Sequence, residues 1–420
     1  MHRTNDRNRK KLSKELPFVQ NDFYELDDRI YVGELTLYQP EDGKGVCTAN
    51  IGRTDNNGRI QMKKILVISN GTSGLFGFRR EVLEAICQEH EVTVLAKDTG
   101  SLKELTEMGC KFIPAAIEYH GTNPVKELKL LRFYKKQIQE IQPDIVLTYT
   151  IKPNIYGGIA CARLGIPYIA NITGLGVAVE NKGPLQFISI PLYRYGLRKA
   201  QKVFFQNVDN MEFMCSRRMI SGNYELLPGS GVNLDRYQIL DYPDSDTVDF
   251  VFIARIIKEK GIDQYLDAAK YIREKYPNTR FHICGGCSEA YKDIIKNLNE
   301  SGTIVYHGHV SEISNMHKIS QCTIHPTYYP EGMSNVLLES CACGRPIITT
   351  DRPGCREIVD DGINGFVVNQ KDSQDLIEKV EKFLALSLEE RRNMGLAGRA
   401  KVEKEFDRKI VVRKYLEEIK

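Results

Sequence analysis

Glu331 and Glu339 bracket the stretch EGMSNVLLE, two carboxylates eight positions apart with the start of a helix between them. A helix begins with free backbone N–H groups and a partial positive charge, so a phosphate placed there is stabilised without a charged side chain. Ser334 is a favourable N-cap and Gly344 a natural close. That puts Glu331 on the loop before the helix and Glu339 about one turn inside it, both expected at the mouth of one cleft that suits a phosphorylated sugar. A second cluster, RIIKEKGI at 255–262, carries Arg255, Lys258 and Lys260 on the loop after an apolar run. Alone it reads as a solvated charged turn. Together with the two acids it reads as a diphosphate clamp, since charge-assisted contacts are strong in a partly dry cleft.

Weaker signals surround these. Gly285 and Gly286 end a further apolar run and allow a ligand close to the backbone, or simply make a turn. His307 and His309 flank Gly308 where a base or ribose could lie, with a structural role equally open. In the first half, NGTSGLFGFRR (70–80) is expected as a glycine-rich loop between a strand and a helix. It lacks the G-x-G-x-x-G spacing, which disfavours a dinucleotide. Its Gly74 would let the loop approach an acceptor or donor phosphate, and Arg79 would supply charge or lie on the surface. TYTIKPN (148–154) brings Lys152 and Asn154, and TGLG (173–176) brings Gly174 and Gly176, to strand ends that point into the same cleft.

Such residues need strand ends to converge, and the apolar pattern supplies them. Strand-length runs at 65–69, 92–96, 111–115, 144–149, 167–172 and 202–206 alternate with amphipathic helical stretches, as in a parallel sheet covered on both faces. Gly, Pro and Asp break the rhythm at 226–246, a linker. The alternation restarts at 249–254, 280–285, 303–308, 322–327, 346–351 and 365–368, and helices finish the chain. The expected architecture is α/β: a Rossmann-like domain at 62–235, a second at 236–405 facing it across a cleft, and a final helix at 406–420 crossing back to the first. Residues 1–61 differ. They are charged and lack a periodic core face, DRIYVGELTLYQ (28–39) could form one or two strands, and they read as a tail or as sequence ahead of a natural start at Met62.

The bulk numbers exclude several classes. With 420 residues the chain exceeds one ordinary core. Its net charge of +3 gives no argument for nucleic acid, and no apolar run approaches the ~20 residues of a spanning helix. The eleven cysteines are scattered, several in apolar runs, and Cys341 and Cys343 form only a C-x-C, so buried thiols in a reducing compartment are expected rather than disulfides or zinc. GPLQFISIPLYRYGLRKAQK (183–202) fits either an interfacial membrane helix or a core-facing helix with a solvated end.

The E-x7-E pair, Arg255 with Lys260, PGSGV at 228–232 and PGCREIVDDGINGFVV at 353–368 occur in the order found in the retaining glycosyltransferases of family four, which have the GT-B fold of two Rossmann-like domains. KPNIYG, TGLG and FFQN resemble most the CapM-like capsular and exopolysaccharide branch and enzymes that extend sugars on polyprenyl diphosphate. The resemblance runs from Met62 to near the C-terminus. It implies that Arg255 and Lys260 hold the donor diphosphate and that Glu339 accepts hydrogen bonds from the ribose. Glu331, with Gly332 and Met333, would orient the sugar, while the helix from Ser334 and Asn335 faces the phosphates. Many relatives have a first-domain histidine near the anomeric centre; the aligned stretch here has Ile151 and Lys152, and His120 is not its evident substitute. The implied activity is retaining, metal-independent transfer from a nucleotide sugar, taken as UDP-linked, to a lipid-linked or nascent polysaccharide acceptor, with the nucleotide sugar a substrate and no cofactor. The implied place is the cytoplasm, in peripheral contact with the inner membrane face. A sugar-nucleotide epimerase or hydrolase and a non-catalytic scaffold are the rival readings.

Overall fold

The computed structural model describes residues 62–115, 123–176, 179, 183–220 and 222–420, with the backbone of three strands before them. Those three are β1 (Val19–Leu26), β2 (Arg29–Tyr38) and β3 (Val46–Ala49), an antiparallel meander of its own. β2 is the strand expected in DRIYVGELTLYQ; its neighbours were not legible from their patterns. His120 lies outside the described residues.

The first α/β domain is a seven-stranded parallel sheet built from β4 (Lys64–Gly71), β5 (Glu91–Lys97), β6 (Lys111–Pro114), β7 (Ile145–Tyr149), β8 (Tyr168–Ile172), β9 (Lys202–Phe205) and β10 (Tyr224–Leu226). Their order is β10-β9-β8-β7-β4-β5-β6. The central strands β7 and β8 are buried at every position, as continuous apolar runs demand when helices cover both faces. The covering helices are α1 (Thr72–Glu89), α2 (Leu102–Glu107), α3 (Pro124–Ile141), α4 (Gly158–Leu164), α5 (Pro184–Leu197) and α6 (Val208–Ser216). β10 lies just ahead of the stretch read as a linker, overlapping it only at Leu226, and no apolar run marks it as a strand. It is a three-residue edge strand with Tyr224 and Leu226 largely exposed, so it carries no burial pattern to read.

The second domain repeats the plan with β11 (Val248–Ile253), β12 (Thr279–Cys284), β13 (Val305–Tyr306), β14 (Cys322–His325), β15 (Ile347–Thr350) and β16 (Gly365–Val368), in the order β13-β12-β11-β14-β15-β16, all parallel. Its helices are α7 (Ile262–Lys275), α8 (Lys292–Glu300), α9 (Ser314–Ile319), α10 (Asn335–Ala342), α11 (Ser373–Leu384) and α12 (Leu388–Glu405). Phe250, Phe252, Tyr265 and Phe281 fill the core between β11, β12 and α7. Arg345 is fully buried, and its guanidinium donates to the carbonyls of His317, Leu240 and Asp241, tying the linker to the second domain.

After α12 the chain returns. Val232 pairs with Asp407, Arg408 donates to Glu81 of α1 at 2.6 Å, and α13 (Arg408–Ile419) buries Val411, Tyr415 and Ile419 in the core of the first domain.

Candidate functional site

Each sheet reverses its winding once, between β4 and β7 in the first domain and between β11 and β14 in the second. At such a reversal the loops leaving the carboxyl ends diverge and open a crevice. The two crevices face one another across a cleft of about 470 Å³. From the first domain it is lined by the end of β4, the start of α1, Tyr149 at the end of β7 with Thr150 after it, and Thr173 and Gln206 after β8 and β9; from the second, by Lys260, residues 329–333 and Asn335.

Glu331 and Lys260 meet in this cleft as an ion pair, each with about 15% of its side chain exposed. Burial pushes the Glu331 carboxyl up, but His325 and the Lys260 ammonium more than offset it and hold the group down at about 2. Tyr329 places its ring 4.8 Å from Lys260 Nζ and 5.7 Å from the guanidinium of Arg255, so one aromatic ring gathers two of the three cations of the 255–260 loop. Arg255 itself is exposed beside the cleft rather than lining it. Lys258 is exposed as well.

Glu339, one turn into α10, does not share this environment. It lies against Tyr237, and burial pushes its carboxyl up to about 7 in spite of the Tyr237 hydroxyl, Arg408 and Arg236. The two acids of the motif are thus opposite in character: one is a fixed anion, the other titrates near neutrality. Glu331 lines the cleft, and Glu339 is not among the residues that line it.

Backbone contacts bring the walls together. Gly332 lies so close to the first domain that a Cβ there would stand 2.2 Å from Gln206 Oε1 and 2.5 Å from the Thr173 carbonyl. Only glycine fits that approach. Gly174, at φ +148, faces the carbonyl of Pro330 from the other side. Asn207, the cap of α6, accepts from Asn210 N with its side-chain oxygen and donates its amide across the cleft to the carbonyl of Gly332 at 2.6 Å. Asp209 on the same helix pairs with Arg356 of the second domain.

Several sequence expectations change. The 70–80 stretch is not a loop: β4 runs to Gly71 and α1 begins at Thr72, so Gly74 lies in the first helical turn, lining the cleft with open space at its Cβ position. Arg79 is 3% exposed, not on the surface; it lines the cleft with its guanidinium 5.6 Å from the Tyr149 ring. Lys152 and Asn154 do not reach the cleft. Lys152 is paired with Glu127 at 2.7 Å, and Asn154, 1% exposed, joins Thr148 and the Asn171 carbonyl inside the sheet. Gly176 packs against Ile151, and a Cβ there would stand 2.5 Å from its Cδ1.

In the second domain, Gly285 is fixed at φ +144 by the Ala254 carbonyl, 1.8 Å from where a Cβ would be, which makes it a packing glycine. His309 is exposed outside the cleft. Ser334 occupies the cap position of α10 but makes no capping bond; its N–H donates to the Gly354 carbonyl, leaving Asn335 as the α10 residue on the cleft wall. Met333 is 6% exposed and lies against Gly229 of the linker, which has φ +62.

The residues that sequence reading missed are Thr150, Gln206, Asn207, Tyr329 and His325. Thr150 holds φ +71 directly after β7, a strained conformation for a β-branched residue, and its buried hydroxyl has no hydrogen-bond partner. Asn207 carried a signal as the last residue of FFQN, a cap directly after a strand.

Two facing Rossmann-like domains, a cleft at both winding reversals and a paired cation and carboxylate within it define a GT-B glycosyltransferase. Residues 64–207 match the family described as glycosyl transferase 4-like, and residues 242–401 that described as glycosyl transferases group 1. The chain belongs to the family-four glycosyltransferases. It is 24% identical over 373 residues to N,N'-diacetylbacillosaminyl-diphospho-undecaprenol alpha-1,3-N-acetylgalactosaminyltransferase of Campylobacter jejuni, covering 84% of this chain and 97% of that one. It is 25% identical to the capsular polysaccharide biosynthesis glycosyltransferase CapM of Staphylococcus aureus, over 76% of this chain and 87% of the relative. Among solved structures, HepE of Anabaena in complex with UDP and glucose superposes with a TM-score of 0.69 at 15% identity, covering 85% of this chain and 99% of that one.

Proposed function

We propose that the chain moves a sugar, with retention, from a nucleoside diphosphate sugar, taken as UDP-linked, to a saccharide on a polyprenyl diphosphate in cell-surface polysaccharide synthesis. The Lys260–Glu331 pair, set between the opposed carboxyl ends of two sheets, carries this reading. The diphosphate lies against Lys260 and Arg255, and the transferred sugar lies against Glu331 and the Gly332 backbone. The ribose reaches Glu339, whose carboxylate accepts its hydroxyls. Glycosyl transfer builds negative charge on the departing nucleotide and positive charge at the anomeric carbon. A fixed cation on the first and a fixed anion beside the second favour the transition state over the bound donor. Glu331 stays an anion beside the sugar, the acceptor hydroxyl attacks from the front face, and its proton passes to the leaving phosphate oxygen. No step requires a cofactor.

The name of the Campylobacter relative specifies a diphospho-undecaprenol-linked substrate, and that of the Anabaena structure specifies UDP. A lipid-linked acceptor calls for contact with a membrane face, cytoplasmic in this reading. On α5, Leu185, Phe187 and Ile188 are exposed, with Arg194, Arg198 and Lys199 toward its end, an apolar patch beside cations that suits an anionic bilayer surface. Among the described residues, no helix is long and apolar enough to cross a membrane.

The deciding experiment incubates the protein with a panel of nucleotide sugars and polyprenyl-diphosphate saccharides, with and without EDTA, and reads products by mass spectrometry. Acceptor-dependent nucleotide release with a retained anomer, insensitive to chelator, is expected. Release without acceptor, or activity restored only by added magnesium, refutes the corresponding part.

A further inference from the structure

Behind Glu331, away from the cleft, stands a histidine with no assigned role. His325 closes β14 and is 1% exposed. Neither ring nitrogen has a hydrogen-bond partner, although its carbonyl is held by Thr349 Oγ1 at 2.8 Å and its ring faces Phe252 at 6.4 Å. Nε2 stops 3.9 Å from Glu331 Oε1. Glu331 thus lies between two nitrogen bases: Lys260 on the cleft side, in contact, and His325 on the core side, just out of reach. A buried imidazole without a partner is costly.

We infer that His325 is the proton acceptor that balances Glu331 when Lys260 turns to the donor diphosphate, so that donor binding is coupled to uptake of a proton. The inference rests on the reading that Lys260 meets the diphosphate. Without donor, the ammonium neutralises Glu331, and burial, helped by Lys260, lowers the imidazole's hold on a proton more than the nearby Glu331 raises it. The charged groups facing the ring are Glu331, from the loop after β14, and Lys260, from the loop after β11; the Cys355 thiol nearby is kept neutral by burial. A diphosphate entering beside Lys260 adds negative charge to the site and competes for the ammonium. Glu331 is then under-balanced, and a solvent proton on Nε2 lets the imidazolium donate to Oε1. No covalent bond forms or breaks. His325 is a positioning residue, keeping Glu331 anionic and oriented toward the sugar while Lys260 serves the leaving group.

The test is isothermal titration of the full chain with UDP at pH 6.5 in buffers of different ionisation heat, which counts protons bound per UDP. The wild type is expected to take up a larger fraction of a proton than His325→Gln, and Glu331→Gln, which has no charge to balance, should lose the same fraction. Titration of UDP itself and of Glu339 contributes alike to all three proteins and cancels in the differences. Equal proton counts in wild type and His325→Gln overturn the inference while UDP binding survives; if His325→Gln does not fold, an equal count in Glu331→Gln overturns it. Failure of UDP to bind the wild type refutes the donor reading and the inference with it.

Discussion

Replacing Lys260 with methionine tests the site at its centre, because methionine keeps much of the apolar stem and removes only the charge. Glu331 is held down at about 2 from the usual 4.5 against its own burial. At about 1.4 kcal/mol per unit, that depression corresponds to roughly 3 kcal/mol in favour of the carboxylate. A depressed carboxyl contributes stability above its unfolded pKa of 4.5 and loses it as pH falls through the folded value near 2. Without Lys260 the folded pKa rises, so less of that stability is present above pH 4.5, and the difference from wild type fades in acid as both carboxyls protonate. The same ammonium is aimed at charge that develops on the departing diphosphate, and removal of one such preorganised donor typically costs about 10²–10³ in kcat. Lys260→Met is therefore expected to lose about a hundredfold in acceptor-dependent nucleotide release at pH 7.5. Its thermal midpoint should fall below wild type at pH 8 and approach it as the pH is lowered toward 3. Initial rates at saturating donor, with melting curves at both pH values, read the two effects separately. A kcat within about threefold of wild type, or a loss explained by unfolding alone, would refute the role given to Lys260.

Glu339→Gln should gain stability while losing function. The folded carboxyl is raised to about 7, so relative to an unfolded value of 4.5 its stabilising protonation is complete below pH 4.5 and lost as pH rises through 7. The buried charge at pH 8 costs roughly 3 kcal/mol, and glutamine removes that cost; melting curves should show wild type falling between pH 5 and 8 and the variant flat, with weaker UDP binding at pH 8. A wild-type midpoint independent of pH contradicts the burial argument. Asn207→Asp keeps the α6 cap but sets a carboxylate against the Glu331 and Gly332 carbonyls that the amide now serves. Small-angle scattering should show a larger radius of gyration, and donor KM should rise by about tenfold with the melting point nearly unchanged; unaltered scattering and KM count against a cross-cleft latch.

Much of the fold was legible because a parallel sheet buried on both faces writes itself as continuous apolar runs. Twelve such runs mark twelve of the thirteen strands in the two sheets, and the exception, β10, is a short edge strand exposed at both ends. Glu331 and Lys260 were legible for a related reason: strand-to-helix loops at carboxyl ends are where an α/β protein must put its ligand contacts. Lys152 and Asn154 obey the same rule and yet miss the cleft, because Glu127 and Asn171, distant in sequence, claim their side chains. Direction along a strand is local; which partner a side chain finds is not.

The chain by itself determined the two domains, the strand ends that face each other and the chemical types gathered there, since hydrophobic period and loop composition are local properties. Only the tertiary structure decided what those groups are. Glu331 and Glu339 are the same residue eight positions apart, yet one is held near 2 beside Lys260 and His325 and the other is raised to about 7 by burial behind Tyr237. Desolvation and charge partners set a carboxyl's state, and both come from parts of the chain that meet only when it folds.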